Sequence, residues 1–370
     1  MFIITTILII TLGFLLRSNK RYTYFMLFWM WIQFAFNTVN GDYIPYTRIY
    51  KHIVEGNSIV IGQYEKGFVF LAYICGHTLD FTYEQFIVVM ATFSIVLFAI
   101  VLQLFCAEGN QNLVISIFMV LMYWVMICQY RTFISILFSL IGIYFLEHQE
   151  GIKSILLFVL FVFLGVLFHR AAGLFLILIL AKRFNIKVIY TLIPLFLLLT
   201  VVLKSNTAIS IISRYVPMYK VERWLMFDSG TRSWMGLVMV IFSRVLLPFL
   251  EQYCYSMEIT HGEDPKFSYM KIQDFIIKIS YISWAFIPLE FAITDYERLA
   301  RLPLILSMFF ISIILSKHKY GFHSVPLGVV LFFVYYVIYG WMYFISYNGW
   351  IYHNLIPILT NNKLIDIIGF

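Results

Sequence analysis

The sequence predicts an all-α polytopic integral membrane protein with about 12 transmembrane helices and one extra re-entrant or interfacial helix. Three observations carry this. Hydrophobic residues fill 62% of the 370 positions and charged residues only 12%. A soluble domain carries about 25% charged residues, and a soluble fold of this length has too much surface to cover with so few. The mean hydropathy is +0.88. The apolar stretches are continuous and do not alternate every second residue, which selects helices over the strands of a barrel. The same composition excludes disordered, fibrous and disulfide-scaffold classes. It also excludes nucleic acid as a partner, despite a net charge of +7.

Phe2–Leu16 is the first apolar run. No basic stretch precedes it and no small-residue cleavage site follows, while Arg17, Lys20 and Arg21 come afterwards, so it reads as a retained first helix. Tyr22–Val39, Gln85–Cys106, Asn112–Gln129, Thr132–Leu146 and Ser154–Phe168 follow, each between polar breaks. Ala171–Ala181 is short and must borrow flanking residues to cross. Val188–Leu203, Met235–Leu250, Phe275–Ile293, Leu302–Leu315 and Val325–Ile345 complete the set. Gly67–Leu79 is marginal.

Orientation follows from Lys and Arg in short loops, which stay in the cytoplasm. The tightest clusters are Arg17, Lys20 and Arg21; Lys182, Arg183 and Lys187; and Lys317 with Lys319. Counting helices back from Lys182 puts His169–Arg170 outside, Glu147–Lys153 inside, Tyr130–Arg131 outside and Ala107–Gln111 inside. Gln85–Cys106 then enters from outside. Tyr22–Val39 exits, so residues 40–84 stay on one side and Gly67–Leu79 is not a full crossing. Further on, Lys204–Trp234 and Thr294–Arg301 are expected outside and Glu251–Asp274 inside. The chain is read as a single transmembrane domain over 1–370, with outer segments 40–84 and 204–234 forming the active-site face.

Those outer segments hold most of the candidate chemistry. Asp42 falls at a helix end beside a lipid boundary, where a carboxylate costs free energy unless it has a use. Tyr43, Tyr46 and Tyr50 surround it. Tyrosine offers a flat apolar face with a polar tip, suited to stacking on a sugar ring, although the aromatic belt at a membrane boundary explains tyrosines equally well. Glu65 reads either as an acid–base group or as a solvated carboxylate beside Lys66. His169 is a candidate general base or an interfacial histidine bonded to backbone. Arg131, Arg170, Arg214, Arg223, Arg298 and Arg301 sit at outer helix ends or in the long loop, against the charge bias. A guanidinium fork grips phosphate oxygens in pairs, so several such forks make a pyrophosphate cradle. Snorkelling to headgroups, or a Glu297–Arg301 helix pair, is the plainer explanation. Tyr215 follows Arg214 as a further stacking candidate. The four cysteines, Cys75, Cys106, Cys128 and Cys254, are scattered singly and read as packing residues. The histidines show no metal-ligand spacing, and no Gly-rich phosphate loop is present. No nucleotide cofactor is expected; Asp42 and Glu65 would offer a metal two carboxylates, but the arginines make one unnecessary.

The order of these features resembles the EpsG-type branch of bacterial polysaccharide polymerases, related in role to the O-antigen polymerase Wzy. The resemblance rests on the Asp-Tyr segment after the second helix (Asp42, Tyr43, Tyr46, Tyr50) and on Tyr64-Glu65-Lys66-Gly67-Phe68 opening a short amphipathic helix. Arg131 then starts a later helix, Phe168-His169 precedes the small residues Ala171, Ala172 and Gly173, and Arg214-Tyr215 lies in a large outer loop. It covers Phe2 to Tyr219 well and the remainder as hydropathy. A GT-C-like arrangement is one candidate for the fold.

The resemblance implies polymerisation of undecaprenyl-pyrophosphate-linked oligosaccharide repeats on the outer face of the bacterial cytoplasmic membrane, in O-antigen, capsule or exopolysaccharide synthesis. The arginines would hold the leaving phosphates, Asp42, Glu65 or His169 would accept a proton, and the tyrosines, Tyr215 among them, would line a sugar groove. The expected partners are lipid-linked oligosaccharides and membrane lipids, with a chain-length regulator and a flippase as candidates. A flippase or transporter is the first rival reading. It would place charges at the bilayer midplane and show internal repeats, whereas mid-helix charges here are few, Arg244 being the main one. Another outer-face lipid-linked glycosyltransferase or ligase is the second rival.

Overall fold

Short polar side chains mark where many of the helices begin. The structure, a computed structural model, describes residues 2–38, 40–106, 109–203, 242–261, 267–287, 289, 298–317, 327–344 and 355–363. They form two compact units, Met1–Leu176 with Tyr347–Phe370, and Ile177–Ser346.

In the first unit, α1 (Phe2–Leu15) and α2 (Lys20–Ala35) are joined by a turn in which the Asn19 side chain caps the Tyr22 amide at 3.1 Å. Three short helices follow: α3 (Tyr43–Val54), α4 (Ser58–Gln63) and α5 (Lys66–Tyr73), the last continuing as a π-turn over Ile74–Thr78. α6 (Tyr83–Phe105) opens with a reciprocal capping box between Thr82 and Gln85. Next come α7 (Gln111–Leu121), α8 (Tyr123–Cys128), α9 (Tyr130–His148) and α10 (Gly151–Val166).

The core is α9, packed on α10 and α6, with α2 covering α6 and α1 lying on α7. Small residues let these helices approach. A Cβ on Gly165 would stand 2.9 Å from the Ser135 carbonyl, and one on Gly142 would stand 3.1 Å from that of Phe158. Asn112 ties the start of α7 to the α1–α2 turn, with Nδ2 donating to the Leu16 and Asn19 carbonyls and Oδ1 accepting from Thr23 Oγ1 at 2.6 Å. Residues 361–363, after α17 (Ile356–Thr360), pair with the segment just after α2 through an Asn37–Asn362 bridge and with the first turn of α6 through a Lys363–Glu84 ion pair.

The second unit contains the C-terminal part of a 3₁₀ helix over Arg170–Leu178, then α11 (Ile179–Arg183) and α12 (Ile186–Leu203). A π-turn over Phe242–Leu246 leads into α13 (Leu247–His261), followed by α14 (Phe267–Ile282), a 3₁₀ turn over Ser283–Phe286, α15 (Arg301–Lys317) and α16 (Leu327–Phe344). Gln252 Oε1 accepts from both Tyr190 and Tyr281, at 2.6 and 2.7 Å, joining α12, α13 and α14.

Three helices among the described residues are long and apolar enough to cross a membrane: Tyr83–Phe105, Tyr130–His148 and Arg298–Ser316. Several shorter apolar helices accompany them, and no strand is present among the described residues.

Four expectations change. Residues 43–63, read as an outer loop, contain α3 and α4. Asn112–Gln129 is two helices broken at Met122, which lets Tyr123 reach the Met30 carbonyl in α2. Ala171–Ala181 is largely 3₁₀ helix, whose rise of about 2 Å per residue stretches a short run further than an α-helix would. Glu251–Asp274, read as a polar segment, is helical over 251–261 and 267–274. Three of its polar residues are absorbed by packing or pairing: Glu251 and Gln273 are fully buried, and Asp274 pairs with Lys278 one turn on at 2.6 Å.

Candidate active site

Glu65 occupies the N-cap position of α5. The helix start beneath it is fastened to the end of α10, with the Gly67 and Phe68 amides both donating to the Leu167 carbonyl, at 2.9 and 3.2 Å. Only glycine permits this approach, because a Cβ on Gly67 would lie 2.8 Å from both the Leu167 Cβ and its carbonyl oxygen. Glu65 is thereby brought beside His169 and Arg170, shortly after the end of α10.

Arg131, in the first turn of α9, closes the cluster. Its Nη1 pairs with Glu65 Oε2 at 2.7 Å, and its Nε donates to Tyr46 Oη at 3.1 Å. The two side chains of the ion pair are only 13% and 9% exposed. The guanidinium carbon also lies 5.1 Å from the ring centres of Tyr64 and Phe68 and 5.4 Å from that of Tyr46, so aromatic faces surround the cation. Nη2 has no hydrogen-bond partner among the described residues.

The second carboxylate oxygen of Glu65 accepts from the Arg170 amide at 3.2 Å and lies 3.6 Å from His169 Nδ1, just beyond hydrogen-bond length. The Arg170 guanidinium is anchored by one bond to the Gln63 carbonyl at 3.3 Å and is otherwise exposed. Burial alone pushes the Glu65 carboxyl upward. The His169 ring, the Arg131 charge and the Arg170 amide outweigh it and hold the pKa at about 2. Glu65 is therefore an anion at any physiological pH and a weak base. Its geometry suits it to fix Arg131 and to orient His169.

On the other side of Tyr46 a pocket opens between α2, α3, α6 and the α8–α9 junction. Tyr43, Tyr46, Tyr83 and Tyr130 form its aromatic wall, with Asn37 and Asn40 supplying amides. The Tyr46 and Tyr130 rings are 4.7 Å apart, and those of Tyr43 and Tyr83 are 5.2 Å apart. Tyr46 is thus shared, its hydroxyl on Arg131 and its ring against the pocket.

The structure gathers Tyr46, Glu65, Arg131, His169 and Arg170 into one constellation, with Tyr43 in the adjoining pocket. Asp42 sits at the start of α3, its amide donating to Asn40 Oδ1 at 2.9 Å. Tyr50 is packed inside the unit: its ring stacks on Phe86 and its hydroxyl donates to the Phe81 carbonyl at 2.7 Å. Arg298 and Arg301 belong to the second unit, where Arg301 is 2% exposed. Arg214, Tyr215 and Arg223 lie outside the described residues.

Sequence reasoning did not single out Tyr83, Tyr130, Asn37 or Asn40, nor the role of Gly67. The glycine directly after Glu65-Lys66 was the one visible signal for that close contact. Among the described residues, no three His, Cys, Asp or Glu side chains gather as a metal-ligand set.

The EpsG family model matches residues 2–358, and the chain belongs to that family. No curated protein and no solved structure matches it. Family and apolar helices together make it a membrane protein of polysaccharide biosynthesis.

Proposed function

We propose that this EpsG-family chain polymerises lipid-linked oligosaccharide repeats, with undecaprenyl pyrophosphate as the carrier, on the outer face of the bacterial cytoplasmic membrane. In the reaction, a hydroxyl of one repeat attacks the anomeric carbon of the other. The bond from that carbon to the pyrophosphate oxygen breaks, the hydroxyl proton goes to a base, and the lipid pyrophosphate leaves.

The observation that carries this reading is the largely buried Arg131, held on one edge by Glu65 and Tyr46 and left with Nη2 available. A guanidinium fixed before substrate arrives costs little reorganisation when charge develops on the leaving phosphate. Exposed Arg170, next along the rim, adds a second cation for the same group. His169 presents Nδ1 to Glu65, which leaves Nε2 to take the proton from the attacking hydroxyl. This is the carboxylate–imidazole logic by which an anion sets the tautomer of a base. Apo geometry at 3.6 Å is compatible with such a pair, since catalytic hydrogen bonds often tighten only with substrate bound. Asp42, at the start of α3 with its amide on Asn40 Oδ1, is the alternative acceptor.

The test is a deletion strain complemented with variants, reading glycan length and protein level together. Arg131→Lys keeps a cation for Glu65 but loses the planar fork. The expected result is single repeats on the surface with Arg131→Lys present in the membrane at parental level. Normal-length chains from both Arg131→Lys and Arg131→Ala would remove the phosphate role. Complete loss of surface glycan in the deletion strain would favour a flippase.

A further inference from the structure

We propose that the pocket beside Tyr46 is a sugar subsite that reads one hydroxyl edge of the repeat, with Tyr130 Oη as its specificity-determining group. This deepens the polymerase reading and rests on it. Tyr130 lines the pocket and is 2% exposed, and its hydroxyl has no hydrogen-bond partner among the described residues. Tyr83 stands close to it without closing a bond. A buried hydroxyl left unsatisfied costs free energy, and such groups recur where a ligand supplies the missing partner.

The surroundings fix the chemistry of that partner. The enclosed part of the pocket has room for about one water-sized atom group. That admits the hydroxyl on the rim of a ring and excludes a whole ring. Around that point Asn37 and Asn40 offer amides, while Tyr43 and Tyr46 offer the flat faces that a pyranose carries against its C–H surfaces. Among the described residues no charged side chain lines the pocket, so a phosphate finds no counter-ion there and belongs to Arg131 on the other side of Tyr46. Tyr46 thus separates a cationic compartment from a neutral, hydroxyl-reading one, the order in which a sugar pyrophosphate presents its two halves.

Tyr130→Phe tests this, because it keeps the ring stack and removes only the orphan hydroxyl. The substrate is the pool of lipid-linked repeats extracted from a polymerase-deletion strain and titrated against purified chain in detergent. If the hydroxyl binds sugar, the half-saturating concentration rises about tenfold while the maximal rate stays within about twofold. The thermal midpoint of the unliganded variant is expected to stay level or to rise, since an unsatisfied buried group has been removed. A lowered midpoint with unchanged half-saturation would mean that the hydroxyl serves packing or a trapped water, and it overturns the subsite alone. Tyr83→Phe, expected to act in the same direction more weakly, keeps the test decisive should Tyr130→Phe fold poorly. Parental protein that leaves the repeats unjoined overturns the polymerase reading, and the subsite with it.

Discussion

A guanidinium nearly out of water, with one carboxylate and one hydroxyl on it, is held more firmly than a headgroup-seeking arginine needs to be. The Glu65–Arg131 pair has a measurable consequence. The Glu65 carboxyl titrates near 2 in the folded chain, against 4.5 for an ordinary glutamate. As pH falls, the unfolded chain takes up this proton first. The stabilisation is therefore complete above about pH 4.5 and is lost as pH falls toward 2. It is worth at most about 3 kcal/mol. Thermal unfolding in detergent should show a midpoint falling across that window, and Glu65→Gln should flatten the fall while lowering the midpoint at neutral pH, because Arg131 is left buried without its counter-ion. An unchanged acid slope in Glu65→Gln would mean that other carboxylates set it. His169→Gln should lower the turnover rate and leave half-saturation alone, whereas an equal change in both would reduce His169 to a packing residue.

At the scale of elements, the decisive contact is α5 against the end of α10. Gly67→Ala pushes a methyl into the Leu167 carbonyl and weakens the two amide bonds that set the position of Glu65. The expected cost is about 1–3 kcal/mol in stability, with a drop in chain length although residue 67 need touch no sugar. Full-length glycan from a stable Gly67→Ala variant would show that α5 has room to shift. This contact also shows what the sequence could and could not tell. α6 and α9 were legible because unbroken apolar runs, flanked by Thr82 and by Tyr130-Arg131, leave little else for the backbone to do. α3 was hidden, since tyrosines, Arg48 and Lys51 look like a loop until one face meets α5 and α6. Glu251 was misplaced for the opposite reason: a charge in a sequence signals water, yet packing has buried it fully. For the site, the residue types at 46, 65, 131, 169 and 170 were visible one at a time. Their meeting was not, because Glu65 and Arg131 are 66 positions apart and no periodicity links them. Of the neutral pocket, Tyr43 and Tyr46 were visible as stacking candidates, while Phe34, Ile87 and Ile127 read as membrane core and hid much of the rest of its wall.

Across the first unit as a whole, polar junctions gather at two places. Residues 46, 63–65, 131 and 167–170 meet around Arg131, and Leu16, Asn19, Thr23 and Asn112 meet around the α1–α2 turn. α2 runs from Lys20, beside the Asn112 junction, to Ala35, next to Asn37 in the wall of the neutral pocket. The two junctions therefore lie toward opposite ends of one helix. Charge supports a direction: Arg17, Lys20 and Arg21 cluster at the turn, and the positive-inside bias assigns that end to the cytoplasm. On the proposed polymerase reading, the carrier-linked repeats then reach Arg131 from the outer leaflet. Replacing the four cysteines by alanine gives a clean background, Cys75, Cys128 and Cys254 being buried and Cys106 partly so. In that background, Glu55→Cys should react with a membrane-impermeant maleimide in intact cells, and Lys20→Cys only after permeabilisation. Both positions are exposed, so access is set by the bilayer and not by packing. The reverse pattern would put the guanidinium on the cytoplasmic side, where flipped repeats are absent, and the polymerase reading would fall even with every distance in the site unchanged. Labelling of both from one side would instead mean that α2 does not cross, which removes the parity on which the outer placement of residues 40–84 depends.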